Sequence, residues 1–69
     1  MNNIIKAARK RKALPLRHVA QLINGNIPYL SQIENNKKKP GNRYIKNLAE
    51  VLDLKIEDIV DYYESITIE

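Results

Sequence analysis

The chain has 69 residues and a mass of 8.0 kDa, which is one domain with room for a single small core. It has no cysteine, which excludes disulfides and thiolate metal sites, and its one histidine, His18, cannot build a metal cluster alone. The net charge of +4 hides a division: residues 1–46 carry eleven Lys/Arg and one acid, Glu34, whereas residues 47–69 carry one Lys, Lys55, and seven acids. A basic block this poor in acid suits a polyanion. No stretch reaches the ~20 apolar residues of a membrane span. The segment from Met1 to Lys12 has two isoleucines followed by cations, not the longer apolar block of a signal peptide. The expected compartment is therefore the cytoplasm, with no membrane partner.

Glycine and proline are few, so each marks a position, and five helical segments fall between them. The first spans residues 3–12, with Ile5 and Ala8 at i, i+3, Ile4 beside them, and Asn2 or Asn3 as its cap. The second spans 15–23. Pro15 suits its first turn, and Leu16, Val19, Ala20 and Ile23 recur at i, i+3, i+4, i+7. Asn24 and Gly25 stop it, because both tolerate left-handed backbone angles. The third spans 27–34, with Asn26 as N-cap, Pro28 in the first turn, and a narrow apolar stripe of Leu30 and Ile33. Residues 35–40 are polar and basic and close on Pro40 and Gly41, as a loop does. The fourth spans 42–52 with Ile45, Leu48, Ala49 and Leu52 on one face. The fifth spans 56–63 with Ile59, Val60 and Tyr63 inward, and Glu57 and Asp58 in its first turn match the helix dipole. The alternating, β-branched end at residues 65–69 is a weak strand signal. The expected organisation is an all-α domain over residues 1–64 and a short tail or strand over 65–69.

Helices two and three are joined by about three residues, the spacing of a helix-turn-helix. Val19-Ala20, then Leu30-Ser31-Gln32-Ile33-Glu34, then Pro40, then Leu48-Ala49 and Leu52 follow one another at spacings that resemble the phage-repressor, Cro-like (XRE) helix-turn-helix family. The resemblance covers residues 4–60 without a gap. It implies a five-helix repressor-like fold that binds double-stranded DNA. Two positions depart from the family pattern. Asn24 stands where the turn usually has glycine, with Gly25 one residue later, an arrangement that would shift the turn by one. Pro15 and Leu16 stand where the second helix usually opens on a Ser/Thr/Asn cap and Gln or Glu, which bears on a phosphate contact commonly made there.

On a wheel at about 100° per residue, Leu30 and Ile33 define the buried side of the third helix. Pro28, Ser31 and Gln32 lie opposite, with Ile27 and Tyr29 at the edges. In a helix-turn-helix the N-terminal part of this helix meets base edges in the major groove. Gln32 can pair bidentately with adenine, Ile27 can touch a thymine methyl, and Ser31 can donate or accept. Ile27, Pro28, Ser31 and Gln32 are thus the expected base readers. They include no Arg or Lys to grip guanine, so direct readout is modest and leans on DNA shape. Lys37, Lys38, Lys39 and Arg43, with Arg17, Asn26 and Tyr29, are the expected phosphate contacts, because flexible cations beside a groove-inserted helix neutralise phosphates. Tyr29 can also bury its ring at the core margin. The resemblance further implies a structural ion pair between Arg9 and Glu34. His18 is expected to be exposed or to meet backbone. No Ser-His-Asp set, carboxylate pair or glycine loop for phosphate is visible. No enzyme activity, cofactor, metal or small-molecule ligand is therefore expected.

The acidic end should face away from DNA. Tyr62, Tyr63, Ile66 and Ile68 give it more apolar surface than a solvated tail needs, so a homodimer interface is expected there, through the fifth helix and a strand paired across a two-fold axis. The alternatives are a tail that folds back on its own domain or is disordered. The functional expectation is a transcriptional repressor or autoregulator acting as a dimer. The other reading is an antitoxin or similar protein-binding partner built on the same fold.

Overall fold

The computed structural model describes residues 3–68. The five helices are α1 (Ile4–Arg11), α2 (Leu16–Leu22), α3 (Ile27–Glu34), α4 (Asn42–Leu52) and α5 (Ile56–Ser65). Each contributes its expected stripe to one core: Ile5 and Ala8, then Val19, Ala20 and Ile23, then Leu30 and Ile33, then the four apolar residues of α4, then Ile59 and Tyr63. Leu16 and Val60 pack at its margin. Packing runs α2 on α3, α4 on α5, and α1 against α3, α4 and α5, so α1 is the central strut.

The helices are 7 to 11 residues long, too short to hold alone in water, so their ends matter. Asn3 caps α1, its Oδ1 accepting from the N–H of Ile5 at 2.8 Å and of Lys6 at 3.0 Å. The alternative cap, Asn2, lies outside the described residues. The first four helices close in the same way. Ala13, Asn24, Asn36 and Asp53 take left-handed angles (φ 55°, 55°, 60° and 56°). The next N–H then reaches back five residues: Leu14 to Arg9 O, Gly25 to Ala20 O, Lys37 to Gln32 O and Leu54 to Ala49 O. This is the Schellman closure, here made four times without a glycine in the left-handed position.

The α2–α3 turn is therefore not displaced. Asn24 itself adopts the conformation that glycine usually supplies, and Gly25 does not have positive φ. Glycine at 25 relieves crowding instead, since a Cβ there would stand 3.1 Å from Tyr44 Cε1 on α4 and the ring would have to give way by a few tenths of an ångström.

At the other end, α5 runs two residues beyond Tyr63, and Ser65 Oγ donates to Tyr62 O at 2.8 Å. Among the described residues none is in a strand. Ile66 is extended (φ −106°, ψ 163°) and packs against the core instead, there being no strand for it to pair with among the described residues. Glu69, the last residue of the expected strand, lies outside the described residues. No helix among them is long and apolar enough to cross a membrane.

Candidate nucleic-acid interface

The third helix is locked from behind. Arg9 on α1 grips Glu34 with two bonds, Nε to Oε2 at 2.7 Å and Nη2 to Oε1 at 3.0 Å. The Glu34 side chain is only 4 % exposed and that of Arg9 13 %. Arg9 Nη1 also donates to Leu14 O at 2.8 Å, which ties the α1–α2 link to the same guanidinium. The expected ion pair is thus present, and it satisfies a buried carboxylate rather than trimming surface charge.

Beside it lies a polar cluster that sequence reasoning missed. Asn3 Nδ2 approaches Ile33 O at 2.9 Å, Asn36 Oδ1 at 2.8 Å and Tyr63 Oη at 3.1 Å, sharing two hydrogens among three acceptors. Tyr63 Oη donates to Ile33 O at 2.9 Å, and Tyr62 Oη donates to Asn36 Oδ1 at 2.9 Å. Asn3 and Asn36 are buried, and no buried side-chain N or O among the described residues lacks a partner. Burial pushes the Tyr63 hydroxyl up to about 12, the Asn3 bond opposing that rise. The partners are 26 to 60 positions apart in sequence, so no periodicity could show them.

The exposed side of α3 carries the expected readers. Ile27 is 46 % exposed, and Pro28 and Gln32 are exposed. Ser31 is half-buried, and Asn35 Nδ2 donates to its carbonyl at 2.9 Å and lies 3.4 Å from its Oγ. Asn26, expected to touch phosphate, uses its Oδ1 to cap the helix, accepting from Tyr29 N–H at 2.8 Å.

Lys37, Lys38 and Lys39 are all exposed, on a loop fastened at both ends. At its start, Gln32 O accepts from the N–H of Lys37 (2.9 Å) and of Lys38 (3.3 Å), and Asn36 is held by the polar cluster. At its close, Pro40 is fully buried and Gly41 N–H donates to Tyr29 Oη at 3.2 Å. Tyr29 stacks tilted on Tyr44 with centroids 4.8 Å apart, and Lys38 Nζ stands 5.9 Å from its ring. Tyr29 therefore packs its ring at the core margin, and its hydroxyl fastens the loop. Arg17 and Arg43 are exposed, and Arg43 borders a cleft of about 310 Å³ with Ile23, Asn24, Tyr44 and Asn47. His18 is exposed.

The residues expected at a dimer surface divide. Tyr63 is 3 % exposed and belongs to the core, so it is not a surface residue; its ring meets Tyr62 edge-on at 4.9 Å. Tyr62 and Ile66 are half-buried, and Ile68 is 38 % exposed. A second ion pair, unforeseen, joins Lys12 Nζ to Asp53 Oδ2 at 2.7 Å and holds the Asp53 carboxyl below its usual range.

A helix-turn-helix family model matches residues 5–59. Among solved structures, the N-terminal DNA-binding domain of SinR from Bacillus subtilis superposes with a TM-score of 0.76 at 31 % identity, covering 83 % of this chain and 84 % of that one. The clp gene regulator ClgR from C. glutamicum superposes with a TM-score of 0.72 at 20 % identity, over 94 % of this chain and 86 % of that one. Among curated proteins, none matches the chain.

Proposed function

The chain belongs to the phage-repressor (XRE) type of helix-turn-helix family, and from that premise we propose that it is a sequence-specific double-stranded DNA-binding transcriptional regulator, a repressor or autoregulator acting as a dimer. One observation carries the reading. The exposed face of α3 is rigidly backed by the Arg9–Glu34 pair and flanked by three exposed lysines on a loop anchored at both ends. A helix presented in this way enters the major groove with its N-terminal residues at base edges. Gln32 and Ile27 read, with Pro28 and Ser31 shaping the contact. Lys37, Lys38, Lys39, Arg43 and Arg17 hold phosphate. The domain described as DNA-binding in SinR supports this assignment.

The dimer rests on the exposed edges of Tyr62 and Ile66 and on Ile68, with Ile56, 48 % exposed, on the same helix as Tyr62. A two-fold axis through α5 would set two α3 helices about 34 Å apart, one turn of DNA.

The test is binding to the DNA flanking its own gene across several salt concentrations, for wild type and Gln32→Ala. Tight binding that falls steeply with salt, with the variant losing site preference but keeping non-specific affinity, is the expected result. Wild-type binding no better than to random duplex would sink the autoregulator, and the acidic surface of α5 would become the place to seek a protein partner. Sedimentation of the protein–DNA complex reports two chains per site, or refutes the dimer.

A further inference from the structure

The DNA reading uses α5 for dimerisation alone, yet the Tyr62 hydroxyl of that helix ends beside the loop that carries the lysines. Among the described residues, the amide oxygen of Asn36 accepts from Tyr62 Oη at 2.9 Å and from Asn3 Nδ2 at 2.8 Å. Asn36 is the left-handed residue that closes α3, at φ 60°, and is 5 % exposed. The next residue is Lys37. The direction in which the lysine loop leaves α3 is set by the backbone at Asn36, and the side chain of Asn36 is fixed from α5 and from the start of α1.

We propose that Tyr62 and Asn36 are positioning residues for DNA binding: the Tyr62 hydroxyl, acting through the Asn36 amide, holds Lys37, Lys38 and Lys39 in line with the phosphate backbone. This role rests on the DNA-binding reading above. The lysines are long and mobile, so their contribution depends on where their backbone is pinned. The far end is already pinned by buried Pro40 and by Tyr29 Oη on Gly41 N–H. The near end relies on the Lys37 N–H to Gln32 O bond and on the fixed Asn36 side chain. Tyr62 touches no DNA in this scheme. Its helix carries Glu57, Asp58, Asp61 and Glu64, all exposed, so the acidic part of the molecule governs the basic part by geometry rather than by charge.

Two substitutions isolate the effect. Tyr62→Phe removes one oxygen from a half-buried ring. Asn36→Gly keeps the left-handed backbone easy and removes the amide. DNA binding is measured at several salt concentrations, at a temperature where circular dichroism shows every variant folded, alongside amide hydrogen exchange in the free protein. The expected result is faster exchange at Lys37 and Lys38, affinity about threefold to tenfold weaker, as for one missing hydrogen bond, and a salt slope lower by about one for each phosphate that a lysine no longer neutralises. A variant that was merely less stable would keep the wild-type salt slope once folded. Wild-type binding with an unchanged slope and unchanged exchange in both variants would overturn the positioning role alone. A wild type that does not bind duplex DNA would overturn the DNA reading and this role with it.

Discussion

The two ends of α3 are built in opposite ways. Its N-terminal end is open: Ile27 is 46 % exposed, Pro28 and Asn26 are exposed, and the Asn26 side chain caps the helix on Tyr29 N–H. Its C-terminal end is enclosed: Ile33 and Glu34 are buried, Asn36 follows, and Arg9, Asn3, Tyr62 and Tyr63 converge on them from α1, from the residue before it and from α5. A reading surface must leave its polar groups unmatched until DNA supplies partners. An anchor must match every group, because a buried polar atom without a partner costs about 1–3 kcal/mol. On the DNA-binding reading proposed above, one helix of eight residues meets both demands by keeping an exposed face beside a buried end.

That contrast implies a graded response to substitution. The largest effect belongs to Arg9→Ala. It strands the Glu34 carboxylate, 4 % exposed, and should lower unfolding free energy by about 3–5 kcal/mol. Urea denaturation measures this, and a decrease under about 1 kcal/mol would mean the pair behaves as a surface pair. The double variant Arg9→Met with Glu34→Leu should recover most of the stability, since two matched apolar groups leave no charge unpaired.

Next comes pH. The Tyr63 hydroxyl ionises near 12 in the folded state against 10.0 for a free tyrosine, so its contribution is complete below about pH 10 and is lost as pH rises toward 12. Unfolding free energy should fall by up to about 2–3 kcal/mol across that window, and Tyr63→Phe should flatten the fall. An equal slope in both proteins would show that Tyr63 is solvated.

A paired substitution sharpens the comparison further. Asn24 and Asn36 are left-handed residues just before and just after α3, but the first is exposed and the second is buried in the polar cluster. Asn24→Gly should change stability by less than about 0.5 kcal/mol, and Asn36→Gly should cost about 1–2 kcal/mol. Equal effects would mean that the backbone angle, not the side chain, decides both. The smallest effect on folding is expected from Gln32→Ala, within about 0.5 kcal/mol, although the same change should remove site preference on DNA. A marked drop in thermal stability would show that Gln32 supports the fold.

How much of this is legible in the sequence follows the range of each interaction. The helices are readable because Leu30 and Ile33, or Ile45 and Leu48, repeat at helical spacing, and the residue types at Asn26 and Pro28 mark a start. The Arg9–Glu34 pair is legible through the resemblance, helped by Glu34 being the single acid of the first 46 residues. Asn24 suggests a displaced turn in sequence and makes none in the fold, since asparagine can adopt the glycine conformation outright. The Asn3 cluster is hidden from sequence. A cap at Asn3 is legible, but that cap uses only the side-chain oxygen and leaves the amide nitrogen to reach Ile33, Asn36 and Tyr63. Tyr63 reads both as an inward residue and as part of a dimer surface. Helical spacing settles the first, but no pattern in one chain reports the second. Two adjacent tyrosines after a run of acids are the available hint that α5 carries hydroxyls inward.

Asn3 also has a consequence for cooperativity. Its side chain bonds residues 30, 33 and 60 positions away, so the first turn of α1, the end of α3 and the last turns of α5 share one node. None of the five helices is long enough to persist alone. Opening of the first turn of α1 or of the last turns of α5 would thus release the same polar groups, which favours their opening together. The helix-turn-helix should therefore gain and lose its structure in one step with α1 and α5, and amide exchange in α2 and α3 should track global unfolding rather than a smaller event.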